Sequence, residues 1–199
     1  MGKGAQTRQA ILDRALDLSS EVGLEGLTFG VLAKLTGMSK SGLYAHFDSK
    51  ETLQRKVLDS AATRFIAAVL TPAFKERRGL PRIEKMFDRW VRWETEEFSG
   101  GCPFMAAATE FDDRTGPVRD HLKLHLENML GALARSARIA VEESHFRTDL
   151  DDEQFAYEVW GQLLAYQHYG RLLGHPKANE RARKAFRNLI ESSRTTGAN

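Results

Sequence analysis

With 199 residues, 42% of them hydrophobic and 28% charged, the chain can bury a real core in one large domain or two small ones. Its formal net charge of +2, with seven Lys or Arg against six Asp or Glu in the first 55 residues, excludes nucleic-acid binding by bulk charge alone, so any such binding depends on where the charges sit. Cys102 is the only cysteine, which excludes an internal disulfide and fits a reducing compartment.

The first ten residues, MGKGAQTRQA, hold no apolar run, so no signal peptide is expected and residues 1–5 read as a flexible arm. No stretch approaches the roughly 18 apolar residues of a bilayer span, so a cytoplasmic protein without a membrane partner is expected. From Gln6 to Val22 the periodicity is helical, with Ile11, Leu12, Ala15, Leu16 and Leu18 on one face. Gly23 supplies its stop. Two short helical patterns follow within Leu27–Lys50, around Thr36-Gly37-Met38. Thr28 is the expected N-cap of the first and Ser39 of the second. Leu32 and Leu35 stripe the first piece, and Leu43 and Phe47 lie one turn apart on the second. Two short helices joined by a Gly-containing turn make a helix-turn-helix, whose second helix can enter a DNA major groove. Lys40, Ser41, Tyr44, His46 and Lys50 surround that second helix, and all can bond phosphates or base edges. Lys3, Arg8, Lys40 and Lys50 are expected on the DNA-facing side, with Asp13, Asp17, Glu21 and Glu25 opposite.

Asp48-Ser49-Lys50-Glu51 predicts a new helix, with a capping box between Asp48 and Glu51, ending before Pro72. Further helices are expected over 80–98, 102–111, 118–143, 152–173 and from Pro176 to about Ser193, with a frayed tail beyond. Ser99-Gly100-Gly101, Asp112-Asp113 and Gly174-His175-Pro176 break them. No strand-like alternation is present. The expected fold is all-α, with a three-helix N-terminal DNA-binding head and a helical C-terminal ligand-binding and dimerisation domain.

The segment from Gln6 to Leu53 resembles the TetR family of transcriptional regulators. The residues that carry this are Thr7-Arg8, Ile11-Leu12, Gly23, Gly26-Leu27-Thr28, Leu32-Ala33, Gly37-Met38-Ser39-Lys40, Leu43-Tyr44, His46-Phe47 and Ser49-Lys50-Glu51, in register throughout. Gly100-Gly101-Cys102-Pro103-Phe104 is similar to a branch of that family with uncharacterised ligands. The resemblance implies a helix-turn-helix domain over 1–50, an effector-binding and dimerisation domain over 51–199, and a dimer on a palindromic operator. It implies phosphate contacts by Thr28, Tyr44, His46 and Lys50. The chain departs from the family pattern at Ser19, a usual core aromatic, and at Gly30, where some relatives carry a base-contacting Arg. The second departure moves base reading onto Lys40, Ser41, Gly42 and Ala45, with Lys40 suited to guanine O6 and N7.

For the effector side, the family architecture implies a mostly apolar cavity. The candidate lining residues are Phe65, Phe87, Trp90, Phe104 and Met105, with Glu110, His121, His125 and Tyr166 as polar anchors. Trp160, Leu164, Phe186 and Leu189 are candidates for the dimer surface, as their two helices carry more apolar residues than one face needs. The i, i+4 pair His121 and His125 could ligate a metal with Glu110 or Asp112 as third ligand. Paired helical histidines are more often surface or pocket residues, so no metal and no cofactor is assigned. Cys102 is read as a small buried apolar residue rather than a thiol sensor. No nucleophile–base pair or phosphate loop points to an enzyme. The functional expectation is a dimeric repressor released by a small, largely apolar ligand; the alternatives are an activator on the same scaffold, or a helical small-molecule-binding protein or enzyme with a vestigial head.

Overall fold

A computed structural model of the chain describes residues 2–195, apart from the side chain of Lys3. The expected contribution of Lys3 to the basic side and the expected frayed tail thus lie outside the described residues. The elements are helices α1 (Lys3–Gly26), α2 (Phe29–Thr36), α3 (Lys40–Phe47), α4 (Lys50–Phe65), α5 (Thr71–Phe74), α6 (Leu80–Arg92), α7 (Pro103–Phe111), α8 (Pro117–Glu142), α9 (Asp152–Gln167) and α10 (Ala178–Ser193). Among the described residues there is no strand, only an isolated bridge between Phe146 and Arg194. The all-α expectation therefore holds. The chain forms two compact units, one of residues 1–65 and 95–126, the other of 66–94 and 127–199.

In the first unit α1 begins at Lys3, so the N-terminal arm is helical almost from its start. Gly23, at φ 78° and ψ 162°, interrupts α1 where the stop was expected, and one further short turn carries it to Gly26. Ile11, Leu12, Ala15, Leu16, Leu43, Phe47 and Leu53 are buried, which joins α1, α3 and α4 in one core. Leu32 is fully buried but Leu35 is 47% exposed, so only one of the two expected α2 stripe residues faces that core. Ser19, at 2% exposure, takes the place of the usual aromatic; its hydroxyl donates to the Leu16 carbonyl (2.8 Å), so a small polar residue is buried without an orphaned group. α7 packs against α1, and Cys102 just before it is fully buried.

In the second unit Ile83, Met86, Phe87 and Trp90 of α6 are buried together with Phe155, Val159 and Leu163 of α9 and Phe186, Leu189 and Ile190 of α10. Gly79 (φ 83°) precedes α6, and a β-carbon there would collide with the His145 imidazole, whose Nδ1 accepts from the Leu80 amide (3.3 Å).

The helical run that starts at Lys50 does not end before Pro72. A π-helical segment covers Ile66–Leu70, and Pro72 occupies the first turn of α5, where its missing N–H costs nothing. Arg89 Nε donates to the Ala68 carbonyl (2.7 Å) in that segment, satisfying an acceptor in the looser π turn. The run Lys50–Phe74 is, by length and composition, apolar enough to cross a membrane, contrary to the sequence reading; 44% of that window is buried in the protein. Further π-helical segments follow α6 at Trp93–Glu97 and α9 at His168–Leu172.

Candidate nucleic-acid interface and effector region

Local chemistry builds the helix-turn-helix. The Thr28 hydroxyl accepts from the Val31 amide (3.2 Å), capping α2. The Ser39 hydroxyl accepts from the Gly42 amide (3.1 Å), capping α3. Gly37, at φ 69°, makes the left-handed turn between them, where an L side chain would be strained. Leu43 and Phe47 are fully buried and fix the rotation of α3. Lys40, Ser41, Tyr44 and Ala45 are consequently exposed, with Gly42 and His46 half-exposed. The Tyr44 ring lies 4.1 Å from that of Phe29, so α2 holds the phenol in place although the residue is 50% exposed. Gly30 sits beside the Lys40 stem: a β-carbon there would lie 3.6 Å from Lys40 Cε. The base-reading position that Gly30 leaves empty is thus next to the lysine expected to replace it.

Lys50 differs from the other six expected DNA contacts. Its Nζ donates to the Glu25 carboxylate and to the Glu25 carbonyl, both at 2.7 Å. This hydrogen bond, with Arg114 adding its charge, holds the Glu25 carboxyl below the usual carboxylate range. Lys50 can meet a phosphate only by sharing or leaving that pair. The α4 cap also differs from expectation: the Ser49 hydroxyl accepts from the Thr52 amide (3.1 Å), while Asp48 closes α3 at φ 27°. No capping box forms between Asp48 and Glu51, because Asp48 is turned into the C-terminal end of α3.

The nine expected pocket residues fall into separate places. In the first unit, Phe65 and Phe104 meet edge to face at 6.5 Å, and Phe104 lies 5.9 Å from the His125 ring. Met105 is buried in the same unit. Glu110 is elsewhere: its carboxylate accepts from the Glu25 amide (2.8 Å) beside Gly23, where a β-carbon would strike it. Glu110 therefore satisfies the backbone where α1 breaks. We expect Glu110→Ala to lower stability by about 1–3 kcal/mol, read from urea denaturation, because a part-buried amide loses its acceptor. In the second unit, Phe87 stacks on Phe186 (3.9 Å, 2° between planes) and Trp90 lies 6.0 Å from Trp160. Tyr166 is set apart from these, lining a cleft of about 310 Å³ between α9 and α10 with Gln162, Tyr169 and Arg181. The buried Gln162 Oε1 has no hydrogen-bond partner in the protein.

Of the four expected dimer residues, Phe186 and Leu189 are buried, at 6% and 7% exposure, inside their own unit. Their apolar character is used by the stack on Phe87 and by the core, which leaves them off the surface. Trp160 and Leu164 are half-buried. Leu172, which the sequence reading counted among the apolar residues of these helices, is 80% exposed; that reading did not assign Tyr157 (69% exposed) or Leu173 (64%) to the dimer surface.

Two further groups escaped the sequence reading. Asp59 on α4, rather than Glu110 or Asp112, meets the paired histidines of α8. Its Oδ1 lies 2.6 Å from His121 Nε2 and 3.3 Å from His125 Nε2, and the two Nε2 atoms are 3.2 Å apart. Burial pushes the Asp59 carboxyl up, but Lys56 and His121 outweigh it and hold the group below the usual carboxylate range. Burial, and then the neighbouring His121, keep His125 below the usual imidazole range despite Asp59. The second missed group is Glu94, at 1% exposure, whose two carboxyl oxygens have no hydrogen-bond partner in the protein. Burial pushes it up to about 9. A signal was available, since 83, 87, 90 and 94 continue one helical stripe on which Ile83, Phe87 and Trp90 are buried.

Comparison with known proteins agrees with this architecture. Residues 11–57 match the family described as bacterial regulatory proteins, tetR family, and residues 79–186 match the tetracyclin repressor-like C-terminal domain. Over 63 residues the chain is 35% identical to the biofilm operon icaADBC HTH-type negative transcriptional regulator IcaR of Staphylococcus epidermidis, covering 32% of this chain and 34% of IcaR. Over 118 residues it is 28% identical to the HTH-type transcriptional repressor ComR of Escherichia coli, covering 58% of this chain and 56% of ComR. The chain thus spans a third to about half the length of these curated relatives. Among solved structures, a TetR-family regulator from Cytophaga hutchinsonii is similar with a TM-score of 0.84 at 19% identity, over 98% of each chain. AibR, solved with isovaleryl coenzyme A and operator DNA, is similar with a TM-score of 0.73 at 19% identity, over 94% of this chain and 97% of that one.

Proposed function

The chain belongs to the TetR family of transcriptional regulators, and from that premise we propose that it is a dimeric repressor that a small-molecule effector releases from a palindromic operator. Residues 1–50 act as the DNA-binding domain and 51–199 as the effector and dimerisation domain. The observation that carries this reading is the presentation of α3: Leu43 and Phe47 are locked in the core, while Lys40, Ser41 and Tyr44 stand together in solvent. The two hydroxyl caps and the buried anchor pair hold these polar side chains on one exposed face, from which phosphates and base edges can be met together. Lys40 reads base edges, Ser41 and Gly42 allow close approach, and Thr28, Tyr44 and His46 bind phosphates. Lys50 joins them when a phosphate draws it from Glu25.

The dimer uses the exposed faces of α9 and α10, with Trp160 and Leu164 joined by Tyr157 and Leu172 in place of the buried Phe186 and Leu189. Repression is supported by the two named repressor relatives, and an effector site beside a DNA-binding one by AibR, solved with isovaleryl coenzyme A and operator DNA. The cleft lined by Tyr166 and Gln162 offers an apolar wall with a few polar groups, as a small-molecule site requires.

The test is a gel shift on the protein's own upstream region at two salt concentrations, where specific and salt-sensitive retardation is expected. Absence of both would remove the regulator reading. Lys40→Ala should cost about 1–3 kcal/mol on the preferred operator and relax its sequence preference. Equal losses on every sequence would reassign it to the backbone. Lys50→Ala should weaken binding to all sequences and reduce the salt slope by about one. An unchanged slope would mean that Lys50 stays within its ion pair with Glu25.

A further inference from the structure

We propose that Asp59, His121 and His125 form an open three-ligand site for a divalent transition-metal ion of the Zn²⁺, Co²⁺ or Ni²⁺ class. The residues come from two helices of the first unit, the carboxylate from α4 and the imidazoles one turn apart on α8. Three potential ligand atoms converge, Asp59 Oδ1 and the two Nε2 atoms, all within 4.8 Å of one another.

Two of the three separations match those between neighbouring ligands of one metal ion. Bonds of about 2.0–2.1 Å in tetrahedral geometry place neighbouring ligand atoms about 3.3 Å apart. The His125–Asp59 and His125–His121 separations are 3.3 and 3.2 Å, so they need almost no adjustment. Only the 2.6 Å His121–Asp59 pair must open to accommodate the ion. With both protons on Nε2 the two rings donate to Oδ1; with the protons on Nδ1 the two Nε2 lone pairs and Oδ1 face one another, which is the form that takes up a cation. A cation at the centre satisfies all three lone pairs together.

The surroundings suit entry and selection. Exposure of the three side chains falls between 16% and 37%, so solvent reaches the cluster while its ligands are held. Lys56 Nζ binds the other carboxylate oxygen, Oδ2, at 3.0 Å and so leaves Oδ1 aimed at the histidines. Phe104 packs against the His125 ring. Two imidazoles and one carboxylate are a nitrogen-rich set, which favours borderline transition metals over Mg²⁺ and Ca²⁺. Three protein ligands leave a fourth position for water or for a donor atom of another molecule. The ion would clip α8 to α4, the helix that follows the recognition helix. Metal binding is independent of the DNA-binding reading, and either can fail alone.

The experiment is titration of tag-free, full-length protein, first dialysed against chelator, with Co²⁺ while visible d–d absorption is followed. One saturable equivalent with the intense bands of low coordination number, displaced by Zn²⁺, is expected. Asp59→Asn, His121→Gln and His125→Gln should each weaken binding about tenfold or more, whereas His168→Gln should leave it unchanged. Far-UV circular dichroism identifies any variant that fails to fold, and the wild-type spectrum with the remaining variants then decides. Only the weak spectrum of hydrated Co²⁺, or equal binding by the wild type and the folded histidine variants, would overturn the site.

Discussion

Gly100→Ala will destabilise the protein by about 3 kcal/mol or more, the largest loss expected from adding a single methyl group to this chain. The Gly100 amide donates to the Ser20 hydroxyl (3.1 Å), and a β-carbon at Gly100 would overlap the Ser20 carbonyl of α1. That obstacle is helix backbone, which no rotamer change can move aside. The clash therefore separates the segment before α7 from α1, and with it the packing of α7 on the first helix of the head. Ser20→Gly cannot rescue the variant, because the overlap is with the carbonyl and not with the hydroxyl. The loss is read from the urea midpoint, and operator affinity should fall with it because α1 supports α3. A midpoint equal to the wild type's would refute the close approach of the two backbones.

The same residue shows what could be read from the sequence. Gly100 was legible as a helix break, because glycine pairs interrupt helical periodicity wherever they stand. Its contact with Ser20 was not, since 80 positions separate the partners and no local pattern joins them. The helix-turn-helix was legible in detail for the opposite reason: the Thr28 and Ser39 caps, the Gly37 turn and the Leu43–Phe47 pair are all determined within a few residues of where they act. The third partner of His121 and His125 illustrates the difference. Glu110 and Asp112 were the nearer acids in sequence, but Glu110 is committed to the Glu25 amide, and Asp59 arrives from a helix 62 positions away. Phe186 and Leu189 mark another boundary. A count of apolar residues says that a surface will be buried, but not whether its own unit or a second copy buries it. Pro72 misled because proline ends a helix interior yet is tolerated at the start of a new one, and the intervening π segment is invisible in composition.

Glu94→Gln will stabilise the protein at pH 8 and change little at pH 4.5. The carboxyl is 1% exposed, has no hydrogen-bond partner in the protein, and burial pushes it up to about 9 from an ordinary value of 4.5. The native state therefore keeps this proton while the unfolded chain releases it above pH 4.5. With more protons bound to the native than to the unfolded state, the group's contribution is intact below pH 4.5 and is lost as pH rises toward 9. The folding constant falls by up to about tenfold per pH unit across that window, on the order of a few kcal/mol by pH 7.5. Glutamine keeps the shape and one acceptor but has no proton to lose, so the variant's stability should be nearly flat where the wild type's declines. Urea denaturation at pH 5 and pH 8 measures the difference between the two slopes; parallel curves would mean that Glu94 is ionised inside the protein. A carboxyl that costs this much and holds no partner has a plain chemical capability. Kept neutral at physiological pH, it can both donate and accept a hydrogen bond within the apolar core of the second unit.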